Sequence, residues 1–504
     1  MRRFIAADQA PLVPVVVSLI IGIIAGDSMK AGITLWPLLT AVVILAFVCK
    51  RTTWVQTLLL LIATILTGAL LTGWQWQKMH RYSFDEKPQS YEAVVISEPV
   101  EKPKSIAVDM LLTGNGRKLK CYLQKEENSL QLKPGTGLLM QTRIRECSER
   151  FTRQGFTGQC YVDARHWQLR QLSLGKLSRL TRVRILFLRW RHQLLEHYQL
   201  LGAQDDSYAV LAAMTLGDKS ALNGALRDIY SITGASHILA LSGLHLSIFY
   251  FLLSLIIPYR RRLRIISQVL LIMVIWAFVM LVGLPVSVVR SATMLTVFSI
   301  FAIGSRPHMS VNLLCFAALI ILLQNPYALF DVGFQLSFMA VLSILLLMPL
   351  FEMLKEGRHP LPLPQQSKGW LRRLWHKTGE LLWGCTAVSV AAQVGVAPLI
   401  AFYFGRFSTF FLLTNLIVLP AAYVILCGTM IMLFVPPASV VVLFTVNCLN
   451  GLLGMLSRLP YASIEGLSPS VLQVVLFYLI VAVLYCTVLI WYGIRPKHVN
   501  RWDV

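Results

Sequence analysis

The chain has 504 residues, 56% of them hydrophobic and 14% charged, with a mean hydropathy of +0.64. A soluble globular domain carries about 25% charged residues, so the composition excludes one and points to a polytopic α-helical membrane protein. The net charge of +22 has two compatible sources: a cytoplasmic excess of Lys and Arg in short loops, and contact with a polyanion such as nucleic acid or lipid head groups.

Residues 1–77 read as three N-terminal spans, at 12–24, 33–48 and 55–73. Arg2 and Arg3 precede a long apolar run with no small-residue cleavage site, so the run is a span and not a cleaved signal peptide. Trp74 and Trp76 close the third span as an interface belt. With Arg2, Arg3, Lys50 and Arg51 in the cytoplasm, the segment that follows is extracytoplasmic.

Residues 78–172 form that segment, and its pattern is β. Alternating, β-branched and aromatic runs at 91–98, 105–113, 118–124, 137–146 and 159–170 predict five strands. Asn115 and Gly116 supply a hairpin turn, and Pro134 and Gly135 a break. Five short strands fit a small OB-type barrel, a fold that often binds single strands or sugars. Lys102, Lys104, Lys118, Lys120, Arg143 and Arg145 make the domain basic. Tyr122, Phe151, Phe156, Tyr161 and Trp167 serve either as core or as stacking platforms. Outside the cytoplasm, one disulfide among Cys121, Cys147 and Cys160 is expected, with all three pairings open. The other six cysteines lie in or beside apolar runs, and no CxxC or other zinc spacing occurs.

Residues 173–203 interleave Lys176, Arg179, Arg182, Arg184, Arg189 and Arg191 with Leu, Ile, Phe and Trp at helical spacing. This predicts a basic amphipathic helix on the membrane surface, either a linker bound to lipid phosphates or a collar that hands on a polyanion. Residues 204–492 begin with two short helices at 209–216 and 222–230. Spans follow at 234–257, 265–282, 286–303, 311–323, 334–350, 381–404, 410–434, 440–456 and 471–491. The window at 311–323 is short enough for one pair to be re-entrant instead. Counted from a cytoplasmic N-terminus, about twelve spans put every strongly basic short loop and the basic tail 493–504 on the cytoplasmic side.

The stretch GASHILALSGLHL at 234–246 carries polar groups that a lipid-facing helix does not need. His237 and His245 are eight apart, roughly on one face of a helix, and Ser242 and His245 are three apart, which on one helix makes them neighbours. A serine with a histidine also suggests an intramembrane hydrolase, but a working pair needs a third group to orient the base and an oxyanion hole. Further along, Arg290, Asp331, Gln335, Gln393, Arg406 and Asn415 are polar exceptions in apolar windows. They fit either helix–helix bonding, including an Arg290–Asp331 ion pair, or a hydrated path for a charged substrate, to which Lys219 also belongs. No metal-binding histidine motif and no P-loop is present, so neither metal nor cofactor is expected.

With these residues in view, LGDKSALNGALRDIYSITGASHILALSGLHLS at 216–247 resembles the signature of the ComEC competence proteins, channels of bacterial DNA uptake. VGLPVSVVRSATM, NPYALFDVGFQLSFMAVLSI and AAQVGVAPLIAFYFGRFSTFFLLTNLIVLP follow in matching order, and RFTRQGFTGQCYV resembles the OB-type domain of that family. The resemblance implies a multi-pass protein of the bacterial inner membrane, with cytoplasmic termini, that moves single-stranded DNA inward in natural transformation. By motif it carries Asp218, Lys219, His237, Ser242, Gly243, His245, Arg290, Asp331, Gln335, Gln393 and Asn415 over as characteristic positions. Many members continue into a metallo-β-lactamase-like domain, a proposed nuclease. This sequence stops at Val504, so the chain is expected not to be an enzyme. A separate DNA receptor, a nuclease and a cytoplasmic ATPase or DNA-binding protein are the implied partners, beside lipids and further copies of the chain. A transporter of another anionic polymer or solute, the intramembrane hydrolase using Ser242 and His245, and a scaffold binding envelope glycans or proteins remain the alternatives.

Overall fold

Three helices open the chain: α1 (Leu12–Met29), α2 (Trp36–Val48) and α3 (Thr53–His80). The computed structural model describes residues 10–29, 35–80, 87–130, 132–170, 177–257, 264–303, 310–356 and 370–491. Most of the basic loop residues, namely 260–263, Arg306, much of 355–377 and the tail, lie outside them, as do Arg2 and Arg3. α1 and α3 meet backbone to backbone because small residues recur at the contact. A Cβ at Gly22 would collide with the Ile65 carbonyl oxygen, and one at Gly26 would come within 2.7 Å of Ala69 Cα.

The β domain follows. Its strands are β1 (Gln89–Val95), β2 (Val100–Glu101), β3 (Ser105–Leu112), β4 (Lys118–Gln124), β5 (Gly137–Thr142), β6 (Ile144–Arg145), β7 (Gly158–Val162) and β8 (Trp167–Leu169). The pairing order is β6-β7-β4-β3-β1-β5-β8, with β2 on β3. β4 and β7 run parallel, Cys121 opposite Cys160. β5 and β6 are one run broken at Arg143, pairing with β1 at one end of the path and with β7 at the other. Alternation buries Leu119, Cys121 and Leu123 in a core with Val108, Met110 and Leu138 and leaves Lys118, Lys120 and Tyr122 on the outer face. Two short helices, α4 (Glu127–Leu130) and α5 (Glu149–Arg153), complete the domain.

α6 (Arg179–Leu200) ties the β domain to the membrane bundle. Ser178 caps it by accepting from Thr181 N. Ile185 packs with Leu177 and Val94 of the β domain. His192 lies 3.3 Å from Glu98, and Arg191 lies 3.5 Å from Asp218, with both members of the latter pair buried. Burial pushes the Glu98 carboxyl up from its ordinary range, against the pull of His192 and Arg191. At a second point Arg153 lies 4.0 Å from Asp27 of α1 and stacks over Tyr327 and Phe330.

The remaining helices are α7 (Asp205–Leu216), α8 (Gly224–Ile232), α9 (Gly243–Ile256), α10 (Arg264–Leu281), α11 (Val286–Ile303), α12 (Val311–Gln324), α13 (Val332–Glu356), α14 (Trp370–Phe404), α15 (Phe411–Met432), α16 (Ala438–Ser457) and α17 (Val471–Trp491). β9 (Arg406–Ser408) and β10 (Ser463–Glu465) pair between the helices. α7 is the centre: every residue from Ala209 to Leu216 is buried, against α6, α8, α15 and α16. Eight described helices are long and apolar enough to cross a membrane, and α2, α9, α10 and α12 are shorter apolar helices. The chain is thus a helical, multi-pass membrane protein with an N-terminal β domain.

One expected span changes. The window 234–257 is helical only from Gly243, because the chain turns through 234–242 and Ser242 then caps a new helix. α9 has 14 residues, about 21 Å of helix, short of the roughly 30 Å of a bilayer core. Non-helical backbone at that depth is tolerated where protein or a cavity covers it.

Candidate functional site

The break before α9 organises the polar residues around it. Ser242 N–H donates to His245 Nδ1 at 3.1 Å, and Ser242 Oγ lies 2.9 Å from the same nitrogen. In return Ser242 Oγ accepts from the His245 backbone N–H, which makes a capping box with histidine in the usual place of glutamate. Nδ1 is therefore an acceptor, and Nε2 carries the proton. Nε2 is buried with no partner among the described residues, so no third group orients the imidazole as a hydrolase would require. Gly243 is needed for close approach: a Cβ there would sit 3.2 Å from Ser291 Oγ of α11. His237 does not share a helix face with His245; it stands exposed in the turn, with Nδ1 3.2 Å from the Gly234 carbonyl.

One residue before Ser291 is Arg290, buried at membrane depth on α11. Its Nη1 lies 3.6 Å from Asp331 Oδ1 and its Nη2 donates to Ser337 Oγ at 2.9 Å. The same Asp331 oxygen accepts from Phe334 N at 2.9 Å and starts α13. Gln335 donates to the Leu329 carbonyl and accepts from Tyr403 OH at 2.7 Å. Four elements, α11, the turn before α13, α13 and α14, thus meet through Arg290, Asp331 and Gln335. Ser337 and Tyr403 carry no sequence signal beyond their place in apolar helices.

Asp218 is buried after the α7 C-cap Gly217 (φ 69°) and is held by Ser220 Oγ at 2.7 Å and by Arg191. The sequence placed Arg191 on the basic surface of this helix, whereas its side chain is buried against Asp218. Its burial between Leu188 and Leu195 shows only in its helical phase. Lys219 is exposed and its carbonyl accepts from Arg227. Arg406 pairs with Glu465 at 3.3 Å across β9 and β10. Gln393 and Asn415 lie partly buried on α14 and α15, outside the Arg290 network.

On the β domain the expected basic surface is narrower than the sequence suggests. Lys120 is tied to Asp109 at 2.6 Å and Lys118 lies 3.9 Å from the same carboxylate, both largely covered. Lys118 also sits over the Phe156 ring, and burial pulls its pKa below the usual lysine range. Arg143, Arg145, Arg179 and Arg182 are exposed. Trp167 is buried and so is core, not a platform. The open aromatic face is Tyr161, 59% exposed, stacked 5.0 Å from Tyr122, with Lys102 Nζ 4.7 Å from the Tyr122 ring. In the core of the β domain the Cys121 and Cys160 sulfurs lie 3.1 Å apart.

Among the described residues no cluster of three or more His, Cys, Asp or Glu side chains is placed to hold a metal ion. The family model described as Competence protein matches residues 214–491, the region of the capped break and the Arg290 network. ComE operon protein 3 of Bacillus subtilis (strain 168) is 26% identical over 303 residues, 59% of this chain and 35% of that protein. An uncharacterized protein of Aquifex aeolicus (strain VF5) is 29% identical over 164 residues, 32% of this chain and 38% of that one. The matches thus span little more than a third of the length of these curated relatives. No solved structure matches. The ordered motifs sit in the matched region, from the Asp218 loop through the α9 break to the helices that follow Arg290, and the chain belongs to the competence protein family.

Proposed function

We propose that the chain conducts single-stranded DNA inward across the bacterial cytoplasmic membrane during natural transformation. The observation that carries the reading is the exposed Tyr161 ring, backed by the buried Tyr122 on which it stacks, with Lys102 beside them, on a domain fixed to the membrane bundle through Arg153 and α6. Bases stack on aromatic rings whatever their identity, and cations hold the phosphates. The strand pairings support an OB-type barrel: strands 2 and 3 of such a barrel form its ligand face, and here these are β3 and β4. Ile185 of α6 packs near Leu111 at one end of that face, and Tyr161, register partner of Tyr122, is exposed beside the other. Twelve spans then leave the β domain outside and both termini inside. The strand is handed over by a receptor outside and drawn in by an ATPase or DNA-binding protein inside.

A competent host lacking the chain should stop importing added DNA into the cytoplasm, and the wild-type chain should restore it. Unchanged import without the chain overturns the reading. In the purified full chain, Tyr161→Ala should weaken binding of a single-stranded oligonucleotide by about 1–3 kcal/mol, with a steep loss of affinity as salt rises.

An extracytoplasmic barrel sits where thiols oxidise, and Cys121 and Cys160, register partners on parallel strands, are the pair assigned to the disulfide. The bond closes a separation of 39 residues and is expected to add about 3–4 kcal/mol to the domain. Thiol labelling of the unreduced, denatured chain should spare these two and modify Cys147. Labelling of all three would place the domain in a reducing compartment.

A further inference from the structure

Two cavities flank α6 and share one of its side chains. The first, about 760 Å³, opens between the 133–137 loop of the β domain and the face of α6 that carries Arg189, His192 and Glu196. The second, about 690 Å³, lies under the adjoining face, where Phe187, Trp190 and Leu194 meet α9, α10 and α15. Gln193 lines both.

Their chemistries are opposite. Lys133, Arg170 and Arg189 border the first cavity with one carboxylate, Glu196. Lys133 is paired with Glu196 and Arg170 with Glu92, each at 2.8 Å. Arg189 donates only to the Gly135 carbonyl, at 3.3 Å, and no carboxylate among the described residues pairs with it. The second cavity is walled mainly by apolar side chains, Phe249, Leu252, Ala277, Phe278 and Leu426 among them. The hydroxyls of Thr215 and Thr429 in its wall are spent on their own helices. Leu180, Val183, Leu186 and Trp190 continue an exposed apolar stripe along α6, where a tryptophan suits the head-group level of a bilayer.

We propose that one anionic phospholipid lies across α6 at Gln193, its phosphate on Arg189 and one acyl chain in the apolar cavity. A nucleic-acid phosphate would satisfy the first cavity but has nothing to place in the second. A zwitterionic lipid would fill the second but bring a cation to a wall already rich in cations. The lipid would brace α6, and through it the β domain, against α9, α10 and α15. The assignment stands independently of the DNA reading.

The test uses the full chain in neutral detergent and native mass spectrometry, with dioleoyl phosphatidylglycerol, dioleoyl phosphatidylcholine, dihexanoyl phosphatidylglycerol and single-stranded oligothymidine as probes. One dioleoyl phosphatidylglycerol should be retained per chain, about tenfold more tightly than the choline lipid, whose quaternary ammonium meets the cationic wall of Lys133, Arg170 and Arg189. Arg189→Gln should erase that preference. Ala277→Trp, which fills the apolar cavity, should lower retention of the dioleoyl lipid. Should that variant fail to fold, the wild-type chain still decides: the short-chain lipid must bind more weakly than the long. Equal retention of both head groups, or of both chain lengths, overturns the proposal. Displacement of the lipid by oligothymidine overturns it too and assigns the basic cavity to nucleic-acid phosphates.

Discussion

Replacing Asp331 by alanine is expected to destabilise the chain by about 3–5 kcal/mol, the usual cost of leaving a buried charge without its partner. The charge left behind is Arg290, whose side chain is 6% exposed. Ser337 Oγ, its remaining polar contact, is neutral. The same substitution deletes the oxygen that accepts from Phe334 N at the start of α13, worth about 1 kcal/mol more. Thermal denaturation in detergent reads the loss. The double variant Arg290→Met with Asp331→Asn removes both charges and keeps an acceptor for Phe334 N–H. It should return to within about 1 kcal/mol of the wild type, since the buried Arg290 charge is gone and the Asp331 side chain, 43% exposed, leaves no buried charge behind. Import of DNA then separates the two roles. If the pair lines the path, the stable double variant stays defective. If import returns with stability, the pair is a structural clasp and leaves the list of path residues.

Gly22→Leu should cost about 3 kcal/mol or more, through overpacking that the backbone cannot relieve. The atom in its way is the Ile65 carbonyl oxygen, not the end of a flexible side chain, so α1 and α3 must separate. A Cβ at Gly68 would likewise sit 2.7 Å from the Leu19 carbonyl oxygen, which leaves the pair no room to slide. In lipid, helices associate through such close contact and not by excluding water, so the lost packing has no apolar substitute. Gly451→Leu is the matched control: nothing stands within 4 Å of its Cβ position, and its midpoint should shift little. Equal melting of the two variants would show that α1–α3 packing does not limit stability.

Much of the architecture was legible in the sequence. Apolar windows of spanning length declared the membrane helices, since one-dimensional hydropathy is all that insertion in a bilayer requires. Period-two alternation and the Asn115–Gly116 turn marked the β segment, and the 118–124 strand appears with the bounds its pattern suggests. Asp331, Arg290 and Gln335 stood out because a polar group at membrane depth is costly enough to need a reason.

Other features depended on contacts that hydropathy does not read. Hydropathy could not separate a continuous span at 234–257 from a turn and a 14-residue helix, because the cap is made by His245 reaching back to Ser242. Lys118 and Lys120 read as open basic surface until Asp109 of the neighbouring strand was seen to bind them. The short helix expected at 209–216 carried no sign of its place, yet α7 is the buried centre, since its small residues let four helices close around it.

The sequence by itself determined that this is a multi-pass membrane protein with a β segment and a set of out-of-place polar residues, because periodicity and transfer cost are local properties of the chain. Only the tertiary structure decided that the Ser242–His245 pair caps a broken helix, that Arg290 meets Asp331 and Gln335 meets Tyr403 around the start of α13, and that α6 joins the two parts. Apart from the local Ser242–His245 cap, these hydrogen bonds and ion pairs join residues tens of positions apart, and no spacing along the chain contains their distances.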